Sequence, residues 1–213
     1  MIDHSVTSSS STLGSASGGG AAADDWASGG DGRRIAELLE RAAMLDPLFP
    51  QHGRDVAHLS VGIAFELGLD AADVAVVAVG ARVHDVGKVD VPASIIAKPG
   101  ALDADEWVAM RRHPAAGARL LEDCNAPAEV IAVVRSHHER WDGAGYPDGL
   151  SGEDVPLGAR IVAVADAYCA MLEQRPYRSA RTVADARSEL LAQAGRQFDP
   201  TCAEAACRVT DRG

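Results

Sequence analysis

An all-α fold is what this sequence predicts, and three observations predict it. Aromatic residues make up only 4% of the chain while Ala and Leu are abundant, a composition that favours helix over sheet. Apolar residues recur at helical spacing from Arg33 onward. No segment alternates apolar and polar residues as a half-buried strand does.

The elements can be justified in order. Residues 1–32 are rich in Ser, Gly and Ala and carry neither the basic nor the apolar region of a signal peptide. Such a segment buries too little surface to offset its chain entropy, so a disordered tail is expected, followed by one domain over residues 33–210. Ile35, Leu38, Leu39 and Ala42 open the first helix. A second is expected over residues 51–67, closed by Gly68. Asp70 caps a third, running through "AADVAVVAVGARVH". Asp103 with Glu106 three residues later is a capping-box pattern. Further helices are expected over 127–138, 157–172 and 183–194, and a last one begins at Asp199 with Pro200 in its first turn.

A chain of 213 residues, 47% apolar, can bury a sizeable core. Its net charge of −11 makes a long nucleic acid an unfavourable partner, while a small anion held by local arginines is compatible. Cys124, Cys169, Cys202 and Cys207 form no CxxC pair and read as reduced thiols in the cytoplasm. No apolar run reaches the ~18–20 residues of a membrane span, so a soluble protein is expected.

The polar residues sit in awkward places for such a chain. Asp166 lies inside the apolar helix "RIVAVADAYCAML", where an unpaired carboxylate costs several kcal/mol or is neutralised. His84 and Asp85 end the most apolar helix, and His137 and His138 end another. His52 and His113 also fall at helix ends or starts. Each feature alone has a plainer explanation: a helix-terminal hydrogen bond, a surface histidine, a satisfied core polar group. Together they point to a cation. Imidazole with carboxylate suits Fe, Mn or Zn, whereas a structural zinc site would be expected to use thiolates. Six or seven such ligands are too many for one catalytic ion with open positions and about right for two. A carboxylate such as Asp85 can bridge ions ~3.5–4 Å apart, an arrangement suited to phosphate-ester hydrolysis. His58 reads as a packed or surface residue, and His4 has no role in this reading.

The segments "VHDVGKVDVP", "LDADEWVAMRRHPAAGARLL", "HHERWDGAGYPDGLSGEDVPLGARIVAVADAY", "RPYR" and "QFDP" closely resemble the HD-GYP family over residues 51–205. Members are bacterial phosphodiesterases of the HD superfamily that hydrolyse cyclic di-GMP. The resemblance implies an HD-domain helical bundle with two divalent ions, Fe or Mn, held by His52, His84, Asp85, His113, His137, His138 and Asp166. Asp85 falls on the bridging position, and Lys88 on a lysine near the scissile phosphate. Tyr146 falls in the substrate loop, and Arg175 and Arg178 on positions that hold the dinucleotide phosphates. The products implied are linear pGpG and GMP, and the partners implied are regulatory or diguanylate cyclase proteins. Other readings are an HD-type phosphohydrolase for another cyclic or linear nucleotide, and a non-catalytic signalling module.

The chain departs from the family pattern in four places. Leu48 stands where some members place a glutamate associated with a third metal, so two ions are expected. Cys169 replaces an aspartate, and a thiol there is a candidate for oxidation beside iron. Asp55 replaces a frequent arginine, and "MLEQRPYR" differs from the usual substrate segment. Trp141 is expected to pack within its loop, and Glu139 to orient a histidine or close a salt bridge.

Overall fold

The computed structural model describes residues 30–174 and 180–212, with side chains from Gly32 onward. Among these residues every regular element is helical. Of the tail expected over residues 1–32, residues 1–29 lie outside the described residues, as do Arg175 and Arg178.

Helix α1 (Gly30–Leu45) begins a few residues before the expected start, and α2 (Phe49–Glu66) two residues before its own, with Pro50 in its first turn. Pro suits that position because the first turn has no intrahelical acceptor for its N–H. The Asp70 carboxylate accepts the Asp73 N–H and starts α3 (Ala71–Val83). A 3-10 turn, Val86–Asp90, follows the His84–Asp85 pair. After the short α4 (Ala93–Ile96), α5 (Ala104–Met110) carries the full capping box of Asp103 and Glu106. Then come α6 (His113–Glu122) and α7 (Ala128–Ser136). The glycine-rich loop leads to α8 (Leu157–Leu172), α9 (Val183–Ala192) and α10 (Pro200–Asp211). The expected α7 and α9 each end two residues early, as fraying termini allow.

Two apolar clusters carry the packing. The larger joins α2, α3, α8, α9 and α10 through Val56, Ile63, Val77, Ile161, Leu190 and Cys202. The smaller joins α1, α6 and α7 to the end of α3 through Ile35, Leu38, Val83, Val86, Leu121 and Val130. Burying a side chain of this size stabilises by about 1.5–3 kcal/mol. Helices α3 and α7 contribute to both clusters, so residues at their C-terminal ends are set between them. His84 and His137 occupy those ends.

The approach of α6 depends on Gly87. A Cβ there would lie 2.0 Å from the His113 carbonyl oxygen and 2.4 Å from the Gly117 nitrogen. Only a glycine lets the 3-10 turn press against the first turn of α6 and bring Asp85 beside His113.

Candidate metal centre

Five helices deliver the polar cluster. His52 comes from the first turn of α2, His84 and Asp85 from the end of α3, and His113 from the start of α6. His137 and His138 follow α7, and Asp166 projects from the middle of α8. All seven of the predicted ligand positions are therefore brought to one region.

Second partners fix the orientation of three imidazoles. The Nδ1 atoms of His84, His113 and His137 lie 2.7, 2.8 and 2.7 Å from the carbonyl oxygens of Ala81, Met110 and Val134, each three residues earlier. With Nδ1–H donating to a carbonyl, the Nε2 lone pair of each ring is left facing the cluster. In the neutral rings those nitrogens lack donors. Among the described residues the Nε2 of buried His84 has no partner in hydrogen-bonding geometry, and the Nε2 atoms of His113 and His137 face each other at 3.3 Å. Lone pairs gathered in this way need a shared electrophile, so the donors present fit a divalent cation.

The cluster divides into two overlapping groups. Asp85, His113, His137 and His138 can offer one ligand atom each within 4.8 Å of one another, and His52, His84 and Asp85 form a second such group. Asp85 belongs to both. Its Oδ1 lies 3.2 Å from His113 Nε2, and its Oδ2 lies 3.4 Å from His84 Nε2. Asp166 Oδ1 lies 2.9 Å from His52 Nε2 and 3.9 Å from His84 Nε2, which places it on the second group.

The electrostatics follow from this crowding. Burial alone would raise the Asp85 carboxyl, but the Lys88 and His84 charges hold it well below the usual carboxylate range. Burial would lower His84, yet the adjacent Asp85 carboxylate outweighs it and pushes the imidazole up to about 9. Burial and the neighbouring imidazoles push His137 down, and His138 down to about 4. Both rings are therefore neutral at physiological pH. Lys88 Nζ donates to Asp85 Oδ2 at 2.5 Å, and that carboxylate overcomes burial to hold the ammonium protonated.

The Asp166 side chain is 22% exposed, opens on the cluster and is paired with His52. Against the cost of burial, the His52 hydrogen bond and His84 hold its carboxyl well below the usual range.

Above the cluster runs the loop of residues 137–152. The Tyr146 ring stacks on the His138 ring, centroids 4.9 Å apart and planes at 28°. A Cβ on Gly145 would lie 2.4 Å from the Arg140 nitrogen and 2.5 Å from Glu139 Cα, so only glycine lets the loop double back there. Among the described residues Glu139 bonds no histidine; its Oε1 accepts the Asp148 and Gly149 amides at 2.6 and 3.1 Å and closes the loop instead. Trp141 packs in the loop as expected, with the Arg160 guanidinium 5.7 Å from its ring centroid. Arg160 also donates to the buried Asp199 at 2.7 Å, tying the loop to the start of α10.

Burial pushes the Cys169 thiol up to about 12, so it carries almost no thiolate at neutral pH and is a poor oxidation target. Asp55 is exposed and accepts from Gln51 Nε2 at 2.7 Å, a surface change as expected. Sequence reasoning passed over Arg111, whose guanidinium lies 5.4 Å from the Tyr146 ring centroid. Its signal was the basic pair two residues before His113 in "RRHP".

Residues 37–202 match the family described as the HD domain. The chain belongs to the HD domain family. Among relatives of this HD domain, the cyclic di-GMP phosphodiesterase response regulator RpfG of Xanthomonas campestris is 46% identical over 72% of this chain and 41% of its own length. The 3'3'-cGAMP-specific phosphodiesterase 2 of Vibrio cholerae is 39% identical over 72% of this chain and 30% of its own length. The chain thus spans less than half the length of these curated relatives. The HD domain here also shares its fold with Bd1817, an HDG"Y"P protein from Bdellovibrio bacteriovorus, at a TM-score of 0.65 and 21% identity, over 85% of this chain and 61% of that one.

Proposed function

We propose that this HD domain is a metal-dependent phosphodiesterase that hydrolyses cyclic di-GMP to linear pGpG and onward to GMP. The observation that carries the reading is that two groups of metal-ligand atoms meet at one carboxylate, Asp85, beneath the Tyr146 loop. The cyclic di-GMP phosphodiesterase relative supports the choice of substrate.

In this reading His113, His137, His138 and Asp85 hold one ion, and His52, His84, Asp166 and Asp85 hold the other. Fe or Mn suits such a nitrogen- and oxygen-rich set. When bound, the two ions would polarise the phosphoryl group and make hydroxide available near neutral pH. The protein's own residues do the rest. Asp85 is kept ionised and so remains a ligand at neutral pH. Lys88, kept protonated beside it, opposes the charge that builds on the phosphoryl oxygens, and its raised pKa suits this role better than proton transfer. Tyr146 stays a neutral phenol because burial and Asp85 push its pKa up, and it offers a hydroxyl and a ring face to the substrate. Arg175 and Arg178 are assigned to the dinucleotide phosphates.

The V. cholerae relative favours one second reading, in which the substrate is 3'3'-cGAMP. We further place the protein in the cytoplasm, with its thiols reduced, and under the control of regulatory or diguanylate cyclase proteins. Among the described residues no helix is long and apolar enough to cross a membrane.

The test is anaerobic incubation with Fe(II) or Mn(II) and each dinucleotide, products being resolved by liquid chromatography beside Asp85→Ala. Metal-dependent pGpG that the variant fails to make is the expected result. Cyclic di-GMP left intact by a fully metallated wild-type chain rules the reading out, and turnover of 3'3'-cGAMP alone moves it to the second substrate.

A further inference from the structure

Arg111 stands apart from most arginines near it. Arg135, Arg140 and Arg160 each pair with a carboxylate: Asp148, Asp142 and Asp199. Arg111 pairs with none among the described residues, although the chain carries 31 acidic side chains against 20 basic ones. Its guanidinium rests instead against two ring faces, 5.9 Å from the Trp107 centroid and 5.4 Å from that of Tyr146. Tyr146 in turn stacks on His138. Arg111 is thus one ring removed from the metal centre, and its charge reaches the Tyr146 phenol.

The backbone beneath it is anchored. The Arg111 amide closes α5 by donating to Trp107 O at 2.9 Å, and the preceding carbonyl, Met110 O, receives His113 Nδ1 at 2.8 Å. The same few residues therefore set both the His113 ring and the root of the Arg111 side chain. A guanidinium this close to two rings still has five N–H donors, and those donors match the oxygens of a phosphate. A solvent-exposed cation–π contact contributes only ~0.5–1 kcal/mol and leaves those donors without an acceptor. Trp107 is 47% exposed, which is high for an indole whose task would be packing alone.

We propose that Arg111, steadied by Trp107 and Tyr146, is a substrate-binding residue at the mouth of the metal centre and holds a phosphate of the cyclic dinucleotide. This rests on the phosphodiesterase reading above, and it adds a phosphate contact from the residue that follows α5, far in sequence from the "RPYR" segment. Because the contact is made to phosphate, it acts alike on dinucleotides with different bases.

The test is equilibrium dialysis of cyclic di-GMP and 3'3'-cGAMP against the full chain, reconstituted with Mn(II) and held cold for brief equilibration, with bound metal measured in every sample. Wild type, Arg111→Gln and Arg111→Lys are compared across a salt series. Arg111→Gln is expected to weaken both dinucleotides about tenfold, equally, at unchanged metal content and with a shallower salt dependence. Arg111→Lys is expected to recover part of the loss, because it keeps the charge but not the paired donors. Arg111→Gln binding within twofold of wild type overturns the inference, as does a loss confined to one base or a loss explained by missing metal. Wild-type chain that binds neither dinucleotide also overturns it. The phosphodiesterase reading fails differently: wild type then binds dinucleotide, sensitively to Arg111, yet leaves it intact after prolonged warm incubation.

Discussion

Asp85 and Asp166 are both carboxylates against histidines, yet they occupy different places in the cluster. Asp85 is within ligand distance of both groups, whereas Asp166 touches only the one built on His52 and His84. Substituting one should therefore differ in kind from substituting the other. Asp85→Asn is expected to lose both ions, since each group loses its shared charged ligand. Asp166→Asn is expected to lose one ion and keep the other, the weakened site falling by at least the roughly 10- to 100-fold that loss of an outer partner of a ligand costs. Metal analysis after gel filtration in Mn(II) reads the stoichiometry directly. Equal metal content in the two variants would show that Asp85 is not shared. Hydrolysis should fall at least 100-fold in both, since two-ion phosphoryl chemistry needs both charges.

At the scale of the element, the cluster depends on how closely the 3-10 turn Val86–Asp90 meets α6. Gly87→Ala would set a methyl against backbone on both sides, where no flexible side chain can yield. A cost at the upper end for overpacking, about 3 kcal/mol, is expected, with the urea midpoint lowered at unchanged slope. Because the strain falls between Asp85 and His113, the variant should also bind Mn(II) more weakly; full stability with full metal content would show that the turn can retreat at no cost. What the sequence made legible at this scale was local. The Asp70 cap, the Asp103–Glu106 capping box and the Pro200 start are set by residues within four positions of one another, and all formed where expected. The grouping of the histidines was legible too, because their helix-end positions and the family's spacing pointed the same way. The pairings that close the site were not. Glu139 caps amides nine and ten residues away, and Arg160 reaches Asp199 across 39. Such partners are chosen by packing, and no periodicity announces them. The same holds for Arg111, whose two rings lie on different elements, and for Asp166, whose helix is apolar around most of its circumference but opens on the cluster along one face.

For the whole molecule, the centre is a cross-link. His52 and Asp166 are 114 residues apart in the chain, and the remaining ligand positions come from α3, α6 and α7. Ions held there would join the two apolar clusters, so their binding would also be folding energy. At a free Mn(II) concentration 100 times the dissociation constant, each such site would contribute ~2.7 kcal/mol. For a chain of this size that raises the Tm by roughly 5–10 °C per site. Protons set the pH range over which this holds. In the metal-free chain His137 and His138 take up protons less readily than in the unfolded chain, where histidine titrates near 6.5. Their contribution is complete above pH 6.5 and is lost as pH falls toward about 4. His84 runs the other way: its contribution is complete below 6.5 and is lost as pH rises through about 9. Asp85 and Asp166 add an acid-side loss only below the unfolded carboxylate value of 3.8. The metal-free chain should therefore be most stable near pH 6.5, declining on both sides. Cations held at the cluster would reverse the alkaline limb by taking the His84 nitrogen once its proton leaves, and the benefit of Mn(II) should grow steadily from pH 5 to pH 9. Urea midpoints at pH 5, 7 and 9, with Mn(II) and with chelator, measure both limbs. A Mn(II) benefit that is equal at all three values would mean that the ions are not held by the histidine cluster, and the cross-link would have to be sought elsewhere in the fold.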